Sequence, residues 1–206
     1  RNRVVTDVFE PGSTLKPFTA AAALESGKFF PQTMIDTGSG LLTVGRNTIR
    51  DTHNNGPLTV AQVIEKSSNV GAARIALALG DRGLREMFSK AGFGAITGIS
   101  LPGEVAGRMN PPSGVPIELA TLGYGYGISV TPLQLARAYS VLANGGRVLP
   151  VSLLRHETLP EGERVMSEQT ARQVRGMLEQ AVSQDGTGVA AQVAYYRVGG
   201  KTGTAH

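Results

Sequence analysis

The chain has 206 residues, long enough for one good-sized domain with a real core, or a domain plus a small lobe. Hydrophobic residues at 41% and charged residues at 17% give a globular composition, and the absence of cysteine excludes disulfides, thiol catalysis and most structural zinc. The net charge of +4 brings anionic partners into question, but the 20 Lys and Arg are scattered with no two adjacent and aromatics are only 5%, which argues against nucleic acid.

In chain order, "TLKPFTAAAALESG" predicts a helix with Ser13 as its N-cap, Pro17 confined to the first turn and a stop at Gly27. "GLLTVGRNTIRD" reads as a hairpin around Gly45. Thr59-x-x-Gln62 is a capping box opening "VAQVIEK". After "SSN" come "VGAARIALALG" and "LREMFSKAG", where Leu84, Met87, Phe88 and Ala91 share a face. Thr131-Pro132-x-Gln134 is a second capping box, and Asn144-Gly145-Gly146 ends its helix. "RVLPVSLL" reads as an extended segment. Ser167 caps a helix whose Ala171, Val174, Met177, Leu178 and Ala181 form one stripe. "YRVGGKTGTA" reads as a strand. The expected body is mostly helical, with no internal repeat and no apolar stretch long enough for a membrane span.

Three short segments carry chemistry-bearing residues, and each alone has a bland alternative. Ser13-x-x-Lys16 is either a helix cap with a solvated lysine or a nucleophile with its own base; chance gives roughly 0.3 such pairs in this chain. On a helix the Lys16 amine can reach the Ser13 hydroxyl, and the Ser13 N–H sits at the positive helix end, where an oxyanion is stabilised. Ser67 and Asn69 flank Ser68 in a turn between helices, so a hydroxyl and an amide can face one cavity. In Lys201-Thr202-Gly203-Thr204, Lys201 and Gly203 would share one strand face, and Gly203 permits close backbone approach of a ligand. Other sites fare worse. "GGKT" fails as a phosphate-binding loop because Tyr195 stands where a glycine is required. "GFGAITG" and "GYGYG" miss the dinucleotide spacing. His53, His156 and His206 lie in no triad or metal-ligand context and read as surface or loop residues.

The order Ser-x-x-Lys, Ser-x-Asn, Lys-Thr-Gly is that of serine acyl-transferases that handle β-lactams. With "RNRVVTDVFEPGSTLKPF", "KSSNVG" and "YGYGISVTPLQLARAY", the chain resembles the class B, division-septum penicillin-binding proteins over essentially its whole length. The resemblance implies an α/β fold of the penicillin-binding and serine β-lactamase type: a five-stranded antiparallel sheet covered by helices beside a helical subdomain. Residues 1–206 would be a partial transpeptidase domain truncated at both ends, mostly helical with an incomplete antiparallel sheet. A strand with unpaired edges buries its face poorly, so this piece alone is expected to be unstable or inactive.

The resemblance implies further that Ser13 is the acylated nucleophile, Lys16 its base and Ser67 a proton relay to the leaving amine. Asn69 would bind the substrate amide; Lys201, Thr202 and Thr204 its terminal carboxylate; the Ser13 and Thr204 N–H groups the oxyanion, with Gly203 allowing close approach. A lysine of ordinary pKa is neutral only about once in a thousand near pH 7. Lys16 is therefore expected to be buried, beside a second cation such as Lys201, and within hydrogen-bond reach of both Ser13 and Ser67. Tyr124 reads as structural and Tyr126 as a possible border of the cleft; Glu104 in "LPGEVAG" matches a family segment without a chemical role.

The implied reaction is cross-linking of peptidoglycan stem peptides through a serine acyl-enzyme, without metal or cofactor, in septal wall synthesis. β-Lactams would act as covalent inhibitors. A membrane glycosyltransferase and other division proteins would be partners, nucleic acid would not, and the site would face the periplasm from the inner membrane. The alternatives are a D,D-carboxypeptidase and a β-lactam sensor that acylates but cross-links nothing. A β-lactamase is disfavoured because no Glu-x-x-Leu-Asn segment supplies a deacylating carboxylate.

Overall fold

The computed structural model describes residues 1–158 and 160–204. The short helix α1 (Arg3–Thr6) leads into a 3-10 turn at Gly12–Leu15 and then helix α2 (Lys16–Glu25). Strands β1 (Met34–Ile35), β2 (Leu41–Val44), β3 (Asn47–Arg50) and β4 (Leu58–Thr59) follow, then helices α3 (Val60–Glu65) and α4 (Asn69–Lys90). The second half runs β5 (Arg108–Met109), α5 (Pro116–Leu122), β6 (Ile128–Ser129), α6 (Pro132–Ala143), β7 (Arg147–Val148), β8 (Glu163–Arg164) and α7 (Glu168–Ala181). Among the described residues the strands form four separate antiparallel pairs, β1–β4, β2–β3, β5–β6 and β7–β8. None of the described helices is long and apolar enough to cross a membrane.

Helix α2 organises the core. Residues Lys16 to Ala23 are all buried, as a helix flanked on every side must be. Its alanine run presents little more than backbone, which lets α4, α7 and α3 pack closely around it. Phe18 meets Phe93 and Tyr139 edge-on, with ring centroids 5.4 and 5.6 Å away. The apolar stripes read from the sequence on the second half of α4 and on α7 are buried against this core. Gly80, at φ 75°, breaks α4 into two halves, matching the division between "VGAARIALALG" and "LREMFSKAG".

Both predicted capping boxes form: Thr59 with Gln62 at the start of α3, and Thr131 with Gln134 at the start of α6. Ser167 accepts from Thr170 N at the start of α7. The hairpin around Gly45 also forms, in the register Leu41↔Arg50 to Val44↔Asn47.

Three expectations differ from the structure. Ser13 is not an N-cap but lies inside the 3-10 turn, and the α-helix starts at Lys16. Pro17 supplies the reason: it has no N–H to give the Ser13 carbonyl an α-helical bond, so Lys16 N donates to Ser13 O in 3-10 register. "RVLPVSLL" contributes only Arg147–Val148 to a strand, because only those residues meet a partner, Glu163–Arg164. "YRVGGKTGTA" contributes no strand among its described residues, since none of them pairs in a ladder with another described strand.

Candidate active site

The 3-10 turn carrying Ser13 is clamped from three sides. Gly12, at φ 53°, donates to Gly125 O at 3.2 Å. A Cβ on Gly12 would fall 2.5 Å from Thr204 O, and one on Gly125 would fall 2.0 Å from Gly12 O, so only glycine permits these approaches. Below, the Tyr139 hydroxyl donates to Thr14 O at 2.8 Å. Burial pushes the Tyr139 phenol far up, so it stays a neutral donor. Next door, Glu10 accepts from Gly127 N at 3.1 Å, and Phe9 pairs with Val130 across an antiparallel bridge. Gly203 packs on the same turn, with Thr14 Cγ2 and Pro11 O as its neighbours. Residues three apart eclipse in a 3-10 turn, which puts half-buried Ser13 over Lys16.

Lys16 is fully buried, as expected from the sequence. Its Nζ donates to Ser67 O at 2.5 Å, Asn69 Oδ1 at 2.8 Å and Ser67 Oγ at 3.2 Å. The bond expected to Ser13 Oγ is not made; all three donors of the ammonium already point at the turn between α3 and α4. Desolvation first, and then the Lys201 ammonium, hold the Lys16 pKa well below that of an ordinary lysine, with Asp51 opposing them.

Ser67 and Asn69 meet at this amine because the chain turns sharply between α3 and α4. Ser67 adopts φ 59°, a left-handed conformation that non-glycine residues rarely take outside turns and functional sites. Ser68 points the other way, buried, and caps α4 by accepting from Gly71 N at 2.8 Å. Asn69 spans the site, accepting from Lys16 and donating through Nδ2 to Arg50 O at 3.0 Å, which fixes the amide orientation.

Lys201 also reaches Ser67, with Nζ 2.8 Å from Ser67 Oγ and 3.2 Å from both Thr202 O and Thr202 Oγ1. Burial lowers its pKa to about 8. Thr202, Gly203 and Thr204 are exposed. Ser67 Oγ therefore accepts from two lysines, which occupies both its lone pairs and leaves its own proton to point elsewhere.

Other expected residues lie at or beyond the edge of this cluster. Tyr124 is buried and meets Tyr126 edge-on at 5.4 Å; burial and its neighbour raise its pKa to about 12. Tyr126 lines a cavity of about 190 Å³ with Arg85, Asn110, Glu118, Thr121, Leu122 and Gly127, a space that includes none of the four residues Ser13, Lys16, Ser67 and Lys201. Glu104 has a structural role: its carboxylate accepts from Thr97 N at 2.7 Å, Thr97 Oγ1 at 2.5 Å and Gly98 N at 3.1 Å, closing the loop before β5. His53 and His156 are exposed in loops, and His206 lies outside the described residues.

Sequence reasoning missed Asp51, which stands directly after β3. Its carboxylate accepts from Ser68 Oγ at 2.5 Å and from Val70 N at 2.9 Å, so it caps α4 jointly with Ser68 and fixes the turn that presents Ser67 and Asn69. The only signal was an acidic residue closing a predicted hairpin, 17 residues from the serine it holds. Tyr139 was missed for the same reason, since its partner lies 125 residues away.

The model of the penicillin-binding protein transpeptidase domain matches residues 1–206. The chain is 39% identical over 206 residues to the probable peptidoglycan D,D-transpeptidase PbpC of Pseudomonas aeruginosa, covering 36% of that protein. It is likewise 39% identical to the peptidoglycan D,D-transpeptidase FtsI of Escherichia coli K12, covering 35% of it. The solved transpeptidase domain of Burkholderia pseudomallei penicillin-binding protein 3 is 46% identical and superposes with a TM-score of 0.97, covering all of this chain and 63% of that one. The chain thus spans about a third of the length of these curated relatives. Its fold and its matched length agree: the chain belongs to the penicillin-binding protein transpeptidase domain family.

Proposed function

We propose that the protein carrying this chain is a serine-type peptidoglycan D,D-transpeptidase that cross-links stem peptides and is covalently inhibited by β-lactams. The observation that carries the reading is a fully buried lysine amine, one turn past a half-buried serine, hydrogen-bonded to a second serine that a second lysine also reaches. A buried lysine with a lowered pKa and, among the described residues, no carboxylate bonded to its amine is costly to keep for structure alone.

In this reading Lys16 is neutral when it acts. Its two shorter hydrogen bonds, to Ser67 O and Asn69 Oδ1, retain its two remaining protons, and its lone pair accepts the proton of Ser13. The Ser13 oxygen attacks the carbonyl of the penultimate D-alanine. The resulting oxyanion is held by the N–H groups of Ser13 and Thr204, neither of which donates to another group among the described residues. The C–N bond then breaks: Ser67 gives its proton to the leaving D-alanine amine and recovers one from Lys16. The amine of a neighbouring stem attacks the ester in the reverse sequence, forming the new amide and releasing Ser13. Lys201, Thr202 and Thr204 bind the donor's terminal carboxylate, Asn69 its amide, and Gly203 lets the substrate backbone approach. A β-lactam follows the first half of this path and stalls as the acyl-enzyme.

The septal assignment, the partnership with a membrane glycosyltransferase and other division proteins, and a location on the periplasmic face of the inner membrane are part of the same proposal, supported by the resemblance to FtsI. The test is a reaction of the full-length protein with a D-alanyl-D-alanine stem peptide and an added D-amino acid or stem amine. Release of D-alanine matched by amide product is expected. D-Alanine release with only the hydrolysed peptide would instead identify a carboxypeptidase. Acylation without release would identify a β-lactam sensor.

A further inference from the structure

The loop between α7 and Lys201 carries a residue that no motif includes. Thr187 Oγ1 lies 2.9 Å from Thr202 Oγ1, and both threonines are exposed on the side where Lys201 stands. The loop that presents Thr187 is tied down at both ends. Lys66, in the turn just before Ser67, donates to Asp185 O at 2.8 Å, and Gly188 N donates to Ala181 O at 2.8 Å at the end of α7. Gly186 sits so tightly over that helix end that an added Cβ would fall 2.2 Å from Ala181 O. Thr187 is therefore held in place by groups that also bound the Ser67 turn.

A threonine hydroxyl has one proton and two acceptor sites. Lys201 Nζ fills one acceptor site of Thr202 at 3.2 Å. Either threonine can donate across the 2.9 Å contact. If Thr187 donates, both acceptor sites of Thr202 are filled and its only proton is free for an external acceptor. If Thr202 donates instead, that proton is lost to any ligand. An anion beside Lys201 selects the first arrangement, because it offers Thr202 a charged acceptor.

We propose that Thr187 is a positioning residue for carboxylate recognition: it donates to Thr202 Oγ1 and so directs the Thr202 proton at the substrate's terminal carboxylate. The inference rests on the reading above that Lys201 and Thr202 bind that carboxylate, and adds a residue from a separate loop. Thr187 makes selectivity for a charged terminus depend on a group that need not touch the substrate. It also links the loop after α7 to the Ser67 turn through Lys66.

The test compares acylation of the full-length protein by benzylpenicillin and by its methyl ester, which lacks the negative charge. Thr187→Val, of similar shape without the hydroxyl, is expected to lower the ratio of the two second-order rates, acid over ester, by about fivefold, the scale of one hydrogen bond near a charge. Thr187→Ser should restore the ratio to within about twofold of the wild type, as one hydroxyl replaces another. With a stem-peptide donor, the Val variant should raise KM and leave kcat near its starting value. An unchanged ratio, or an equal loss on acid and ester, would overturn the inference while leaving the transpeptidase reading intact. Failure of the wild-type protein to be acylated at all would overturn that reading and this inference with it.

Discussion

Lys16 and Lys201 reach the same hydroxyl, 3.2 and 2.8 Å from Ser67 Oγ, from two different kinds of scaffold. Lys16 has no exposed surface and stands at the start of α2, a helix buried from Lys16 to Ala23 and packed against α4, α7 and α3. Lys201 is only half-buried, on a segment that joins no ladder among the described residues, and the three residues after it are exposed. The difference fits the two tasks proposed for them. A base needs a dry site where its charge is penalised, and a carboxylate receptor needs a cation that keeps its charge and opens to the ligand. One amine is thus held by packing and the other by contacts with the first amine's surroundings.

The largest expected effect of breaking this contrast is at Lys16. Lys16→Met, which retains the buried stem and removes the amine, should lower acylation of the full-length protein by a β-lactam by about 10³-fold or more, read by stopped-flow labelling. The same variant should be more stable, by about 1 kcal/mol or roughly 2–4 °C in Tm. The sign follows from linkage. The folded pKa lies below 10.5, the value of an ordinary lysine, so between the two the unfolded chain holds a proton that the folded chain does not. Stability of the wild type rises with pH across that window, and the penalty is complete below the folded pKa. Methionine removes it, so the gain in Tm should shrink as the pH approaches 10.5.

Asp51 tests whether the turn between α3 and α4 is held by its cap. Asp51→Ala leaves Ser68 Oγ and Val70 N without their acceptor and should cost about 2 kcal/mol, measured by denaturant unfolding, with a fall in acylation of about tenfold. Asp51→Asn keeps an acceptor and should lose less than half as much stability. Because the Asp51 charge raises the Lys16 pKa, the Asn variant should also move the acid limb of acylation to lower pH.

The smallest effect, and the sharpest on the contrast itself, is in the pH profile. Acylation by a carboxylate-bearing β-lactam should rise as Lys16 loses its proton and fall above about pH 8 as Lys201 loses its own. Lys201→Gln removes the neighbouring cation that disfavours a charged Lys16. The Lys16 pKa should then rise, and the acid limb should move to higher pH by less than about one unit.

What was legible in the sequence was mostly local. The capping boxes at Thr59 and Thr131, the hairpin at Gly45 and the apolar stripes of α4 and α7 are written in residues three or four apart. The three motif segments are legible through their order, and the burial of Lys16 follows from the neutral state that its proposed role requires. The start of α2 was misread because the effect of Pro17 on the Ser13 carbonyl is a matter of hydrogen-bond register, whereas serine before a helical run has the ordinary signature of a cap. Asp51, Tyr139 and Thr187 were illegible because their partners stand 17, 125 and 15 residues away, and no periodic pattern marks a contact made by the fold. "YRVGGKTGTA" shows the converse: its composition favours a strand, but a ladder needs a neighbour.

Peptide mapping by mass spectrometry after penicillin treatment of the full-length protein tests the central claim most directly. A single adduct on Ser13, absent from Ser13→Ala and strongly slowed in Lys16→Met, is the predicted result. An adduct on Ser67 or elsewhere, or labelling of Ser13 at the wild-type rate without the Lys16 amine, would contradict it.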